Sequence, residues 1–297
     1  MKTYKLLFAL MVTALPLGFT ACGDDAEDLT PYEYPTPSHQ NDAARYVVTD
    51  PSALTRSVVF SEDGMAVFER KMFTRATGED EPTNFIVSPY TRDGNVYNLT
   101  CGIKIEVCPQ TNGSYKFIVT YFMVGGPNTV EEVDVDLIPN SVTGTLADKV
   151  CRTWVPKKTR LRLQKPGGSA FADELDGFDF EIIKQRLQAE GCRIGDEFGR
   201  GYTVSNVFFT HSGLFCILFS NEKCYLGDWK FSNQTEGRLT YAWKDIETMG
   251  CSYENGTASV DFKTGDYKGE CWLRLSSDIT TTNGKYNLEL IVRMAER

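Results

Sequence analysis

The residues of this 297-residue chain best suited by type to ligate a metal or attack a substrate are two histidines, His39 and His211, and nine cysteines. His211 stands in "FTHSGLF", directly before Ser212. A serine nucleophile needs its histidine oriented by a third group from elsewhere in the fold, and adjacency in sequence does not supply that arrangement. The cysteines contain no C-x-x-C pair, so no metal site is assigned. Among the carboxylates, Asp173, Glu174, Asp176, Asp179 and Glu181 crowd "DELDGFDFE". Their spacing is not that of an EF-hand loop, and acidic residues gather at helix starts for electrostatic reasons alone. The pairs Glu131 with Glu132 and Asp196 with Glu197 fall on opposite strand faces or in loops, which does not suit a glycosidase pair. No glycine-rich loop joins a strand to a helix as phosphate binding requires. Neither an enzyme nor a cofactor is expected.

Cys22 is a different kind of candidate. It follows a positive start at Lys2 and Lys5, an apolar run from Leu6 to Leu17 too short to span a bilayer, and the small residues Gly18, Thr20 and Ala21. Residues 1–21 therefore read as a cleaved export signal. The segment resembles bacterial lipoprotein signals, in which the cysteine becomes the acylated first residue, and the acidic "GDDAED" after it resembles the export tag of Bacteroidota surface lipoproteins. That resemblance implies lipidation at Cys22, an outer-membrane location and exposure at the cell surface. Several acyl chains on one residue hold a domain permanently at a membrane without any transmembrane segment. Losing Lys2 and Lys5 takes the net charge from -9 to -11. A surface of that sign repels phosphates, which excludes nucleic acid as a partner. Eight cysteines remain after Cys22, an even number that permits disulfides in an exported protein. Cys216, inside "GLFCILF", reads instead as a small hydrophobe.

These groups must be carried by strands. Residues 22–52 read as a lipidated start and a flexible tether, with Pro31, Pro35 and Pro37 among polar residues. Beyond it the writing is period two. Ile103, Ile105 and Val107 share a face, as do Phe117, Val119 and Tyr121, and Val133, Val135 and Leu137. The same pattern continues through Ala258, Val260 and Phe262, then Cys271, Leu273 and Leu275, then Tyr286, Leu288, Leu290 and Val292. "VVFSEDGMAVFE" and "VFFTHSGLFCILF" repeat one plan of strand, Ser or Thr, two residues, Gly, strand, with Gly64 and Gly213 where a tight turn needs positive φ. The chain is therefore expected to be mainly β, with two tandem antiparallel domains over residues 53–147 and 148–297. One helix is expected in the second, starting at an Asp179 N-cap, ending at Gly191 and carrying Phe180, Ile183 and Leu187 on one stripe, followed by about seven strands.

Through "CRTWVPKKTRLRL", the helix, "LGDWKFSNQTEGRLTYAW" and "GTASVDF", the second half resembles lipocalin-like domains of gut-type Bacteroidota lipoproteins, and the first half resembles a shorter relative. The resemblance implies a lipocalin-like barrel and carries no catalytic residues. Such a barrel can enclose a ligand if side chains do not fill it. Trp154, Trp229, Phe231, Tyr241 and Trp243 are the candidate lining, against the alternative that these rings simply pack the core. The expected function is that of a non-catalytic surface lipoprotein binding a small apolar ligand, a glycan or an envelope partner. A hydrolase of extracellular polymers and a purely structural envelope protein are the alternatives.

Overall fold

The computed structural model describes residues 33, 37–39, 41–71, 83–123, 125–192, 203–221, 224–244, 255–281 and 284–297. Cys22, the signal segment, Asp196, Glu197 and Cys251 lie outside the described residues, as do residues 23–32, 34–36 and 40 of the tether.

The chain folds into two closed antiparallel eight-stranded barrels. The first is a simple up-and-down closure of β1 (Ala44–Val48), β2 (Thr55–Phe60), β3 (Met65–Lys71), β4 (Thr83–Asp93), β5 (Val96–Leu99), β6 (Ile103–Pro109), β7 (Tyr115–Tyr121) and β8 (Thr129–Ile138), with β1 pairing β8. β1 lies in the stretch read as tether, so the barrel starts at Ala44. "ARYVV" is only five residues long and follows a polar run, yet it turns Tyr46 inward against Phe60 and Phe117. The alternating rows face inward as expected, apart from Leu137, which sits at the barrel rim and is exposed. Phe60, Phe68, Tyr90, Tyr97, Ile105, Phe117, Val119 and Tyr121 occupy one core.

A short linker and helix α1 (Thr145–Val150) lead to the second barrel. Its strands are β9 (Thr153–Gln164), β11 (Val204–Phe209), β12 (Leu214–Phe219), β13 (Cys224–Asn233), β14 (Arg238–Lys244), β15 (Asn255–Phe262), β16 (Glu270–Thr281) and β17 (Gly284–Glu296), closed by β9 with β17. The order matches the first barrel strand for strand, with one insertion after its first strand. The insertion is β10 (Ala170–Asp176), which pairs with residues 158–164 of β9, followed by helix α2 (Phe180–Ala189). Seven strands follow α2, as the turn spacing predicts.

α2 begins where Asp179 accepts hydrogen bonds from the backbone N–H of Glu181 and Ile182. It buries Ile183 and Leu187 in the barrel core beside Phe178. β9 pairs β11 only through Thr153 and Trp154, and the helix covers the flank that opens beyond. Two further members of the acidic cluster pair with nearby cations. Asp173 meets Arg186 at 3.1 Å, and Glu174 meets Lys158 at 3.1 Å and Arg160 at 3.7 Å.

The repeated motif is repeated in atomic detail. In the β2–β3 turn the N–H of Ser61 donates to Met65 O and that of Gly64 to Ser61 O; in the β11–β12 turn Thr210 donates to Leu214 O and Gly213 to Thr210 O. Gly64 and Gly213 adopt φ of 76° and 79°. The next strand answers identically, Tyr90 N–H donating to Gly64 O and Trp229 N–H to Gly213 O, each at 2.8 Å. Even the side chains correspond: the Tyr90 hydroxyl donates to Ser61 O and the Trp229 indole to Thr210 O.

Candidate functional site at the joint between the barrels

The two equivalent hairpins pack against each other through their outward faces. Val59, Val67, Phe85 and Val87 of the first barrel join Phe208, Cys216, Cys224 and Leu226 of the second, with Leu214, in one apolar cluster. Counted from Ser61 and Thr210, or from Tyr90 and Trp229, these are four pairs of equivalent positions. Matching surfaces thus meet one another about an approximate two-fold, as in the isologous contact of a symmetric dimer.

Polar groups converge at one end of this interface. Glu62 is the residue after Ser61, His211 the residue after Thr210, so these too are equivalents. The Glu62 side chain is 1% exposed, and its Oε1 accepts the His211 backbone N–H at 3.0 Å and faces His211 Nδ1 at 2.8 Å. The other ring nitrogen, Nε2, lies 3.1 Å from Oδ1 of Asp148 on α1. An imidazole between two carboxylates is favoured as the cation. The Glu62 bond raises the His211 pKa above its ordinary value against the opposing effect of burial, and Asp148 adds to the rise. The buried Cys151, which caps α1, completes the cluster, with one donor atom each of Glu62, Cys151 and His211 within 4.8 Å of one another. Burial, reinforced by Glu62, Asp148 and Asp63, pushes the Cys151 thiol well above its usual value.

Other bonds tie the same joint. Ser141 and Val142 of the linker donate to His211 O, as His39 donates to Glu62 O in the first barrel. Asp63 accepts the Thr153 N–H, and Arg45 reaches Asp228 at 3.0 Å. Ser212 is bonded to Thr210 through their hydroxyls at 2.8 Å, while His211 is committed to Glu62 and Asp148. That geometry gives Ser212 and His211 no nucleophile-and-base relation.

The aromatic candidates lie elsewhere. Trp154 is fully buried and donates its indole N–H to Val150 O at 3.0 Å. Trp229 is 3% exposed, with its N–H on Thr210 O at 3.2 Å and its ring against Phe209 and Phe231. Phe231 and Tyr241 are partly buried against the same core, Tyr241 in edge contact with Phe215. Trp243 lies in β14 opposite Gly227, and its side chain is outside the described residues. Trp154 and Trp229 therefore act as core packing and as struts. They hold α1 and the β11–β12 turn, the two elements that carry Asp148, Cys151 and His211.

Cys101, Cys108, Cys151, Cys192, Cys216, Cys224 and Cys271 are free thiols, four of them buried as small apolar groups. Among the described residues no helix is long and apolar enough to cross a membrane.

Sequence reasoning did not connect Glu62, Asp148 or Cys151 to His211. The signal that could have found the pair is the repeat itself, which places Glu62 and His211 at the same position of two matching turns. No family model and no curated protein matches the chain.

Proposed function

We propose that the protein is a non-catalytic lipoprotein, anchored in the outer membrane through Cys22 and facing outward, whose two-barrel body meets its partner on its exterior. The observation that carries this reading is the packing of the barrel interiors. Rings and aliphatic side chains fill both cores, and the indole N–H groups of Trp154 and Trp229 are already bonded to backbone carbonyls. A ligand inside would have to displace these contacts. The commitment of His211 to two carboxylates supports a role without catalysis.

A glycan is the partner class that one exterior feature favours. A cleft of about 450 Å³ on the second barrel is lined by Trp272, Arg274, Asp261, Glu236 and Lys149, a mixture of ring and charge that suits a hydroxylated ligand.

Two measurements test the reading. Cys22→Ala is expected to release the protein from the outer-membrane fraction or stall its processing; a variant still cleaved and membrane-bound overturns the anchor. On a glycan array, Trp272→Ala is expected to abolish whatever binding the native chain shows. Binding of fatty acids or sugars that is lost on conservative change of Trp229 but kept in Trp272→Ala would return the ligand to the barrel interior.

A further inference from the structure

We propose that Glu62, Cys151 and His211 form a binding site for a divalent cation of the zinc class at the joint between the barrels. The three side chains come from the β2–β3 turn, the end of α1 and the β11–β12 turn, and their donor atoms lie within 4.8 Å of one another. With Zn–N of about 2.0–2.1 Å and Zn–S of about 2.3 Å, tetrahedral ligands stand about 3.3–3.8 Å apart, so the widest separation needs to close by roughly an ångström while His211 Nδ1 and Glu62 Oε1, 2.8 Å apart, need to part by about half of one.

An independent feature points to a missing partner. Glu62 Oε2 is buried and has no hydrogen-bond partner, although its side chain is 1% exposed. A buried carboxylate oxygen left without a donor is costly, and a cation answers it. The donor set of sulfur, imidazole nitrogen and carboxylate oxygen selects zinc over calcium or magnesium, which take oxygen ligands.

Asp148 fits the supporting role. Its Oδ1 lies 3.1 Å from His211 Nε2, so it holds the proton on that nitrogen and leaves Nδ1, on the side of Glu62, to the metal. A carboxylate behind a ligating histidine fixes both its tautomer and its orientation. The Asp148 side chain is 59% exposed, which opens this edge of the cluster to solvent. Entry of the cation displaces the Nδ1 proton and the Cys151 thiol proton to water, and no oxidation accompanies it.

The test uses the full chain, stripped with chelator and dialysed against Zn²⁺ or Co²⁺. The expected result is one metal per chain and a thiolate-to-cobalt charge-transfer band that disappears in Cys151→Ser. Asp148→Asn is expected to weaken binding about 10–100-fold, and Cys101→Ser, at an exposed thiol outside the cluster, to leave it unchanged. Absence of stoichiometric metal in the native chain overturns the site, as does binding that survives Cys151→Ser and His211→Asn. Should these variants fail to fold, X-ray absorption of the zinc-loaded native chain decides. One sulfur among nitrogen and oxygen scatterers supports the site, and a shell without sulfur overturns it.

Discussion

Replacing His211 by alanine would leave the buried Glu62 carboxylate facing no side-chain donor from the opposite turn. Breaking a buried ion pair from one side costs about 3–5 kcal/mol, whereas replacing both members by apolar groups is often neutral. His211→Ala is therefore expected to lose stability of that order in chelator-treated protein, and Glu62→Leu with His211→Leu to recover much of it. Urea denaturation of the three proteins measures both effects; equal losses in single and double variants would mean that the pair is not what Glu62 depends on. At Trp154 and Trp229 the expectation is different in kind. Each ring fills the core, so truncation to alanine should cost about 3–5 kcal/mol through the cavity left behind. Losses below a kilocalorie per mole would show that these sites are looser than their burial implies.

At the scale of the element, the two hairpins depend on their glycines. A Cβ on Gly64 would come within 2.7 Å of the His39 ring, and one on Gly213 within 2.8 Å of Ser141 Oγ, at φ values that already disfavour any side chain. Gly64→Ala and Gly213→Ala should each cost about 1–2 kcal/mol from backbone strain alone. Thermal melts with hydrogen exchange at the flanking strands would locate the loss; a melting temperature unchanged in both would deny the turns this role. The hairpins were also the most legible part of the sequence, because glycine position and strand periodicity are local signals. β1 was not legible, since five residues supply too few alternations to separate a strand from a polar tether. The joint was not legible either. Glu62 and His211 are 149 positions apart, and no periodicity of a single segment records which outward face a barrel turns toward its neighbour. Val59, Val67, Phe208 and Cys216 are apolar on the solvent side of their strands, and only a second barrel explains them.

On the scale of the whole molecule, that apolar face makes a prediction about the parts. A fragment spanning residues 139–297 keeps its own core and the linker residues Ser141 and Val142 that brace its turn. It also exposes Phe208, Leu214, Cys216 and Leu226, which lie in the joint of the intact chain. The fragment should fold cooperatively and self-associate, each copy using this face to cover the other's, as exposed apolar patches are prone to do. Sedimentation of the fragment and of a Phe208→Lys, Leu226→Lys variant checks this. A fragment monomeric at micromolar concentration would mean that the linkage between barrels, rather than the face, holds them together.

The approximate two-fold has a consequence for what one chain can do that two identical chains cannot. In a homodimer the residues at the two-fold axis meet their own copies: there an acid faces an acid, a base faces a base, and a buried charge has no opposite to find. Writing both halves into one polypeptide removes that restriction. At the single position where the two turns come together, one half carries Glu62 and the other His211. The contact is symmetric in shape and complementary in charge, a combination that a position on the axis of two identical chains cannot have.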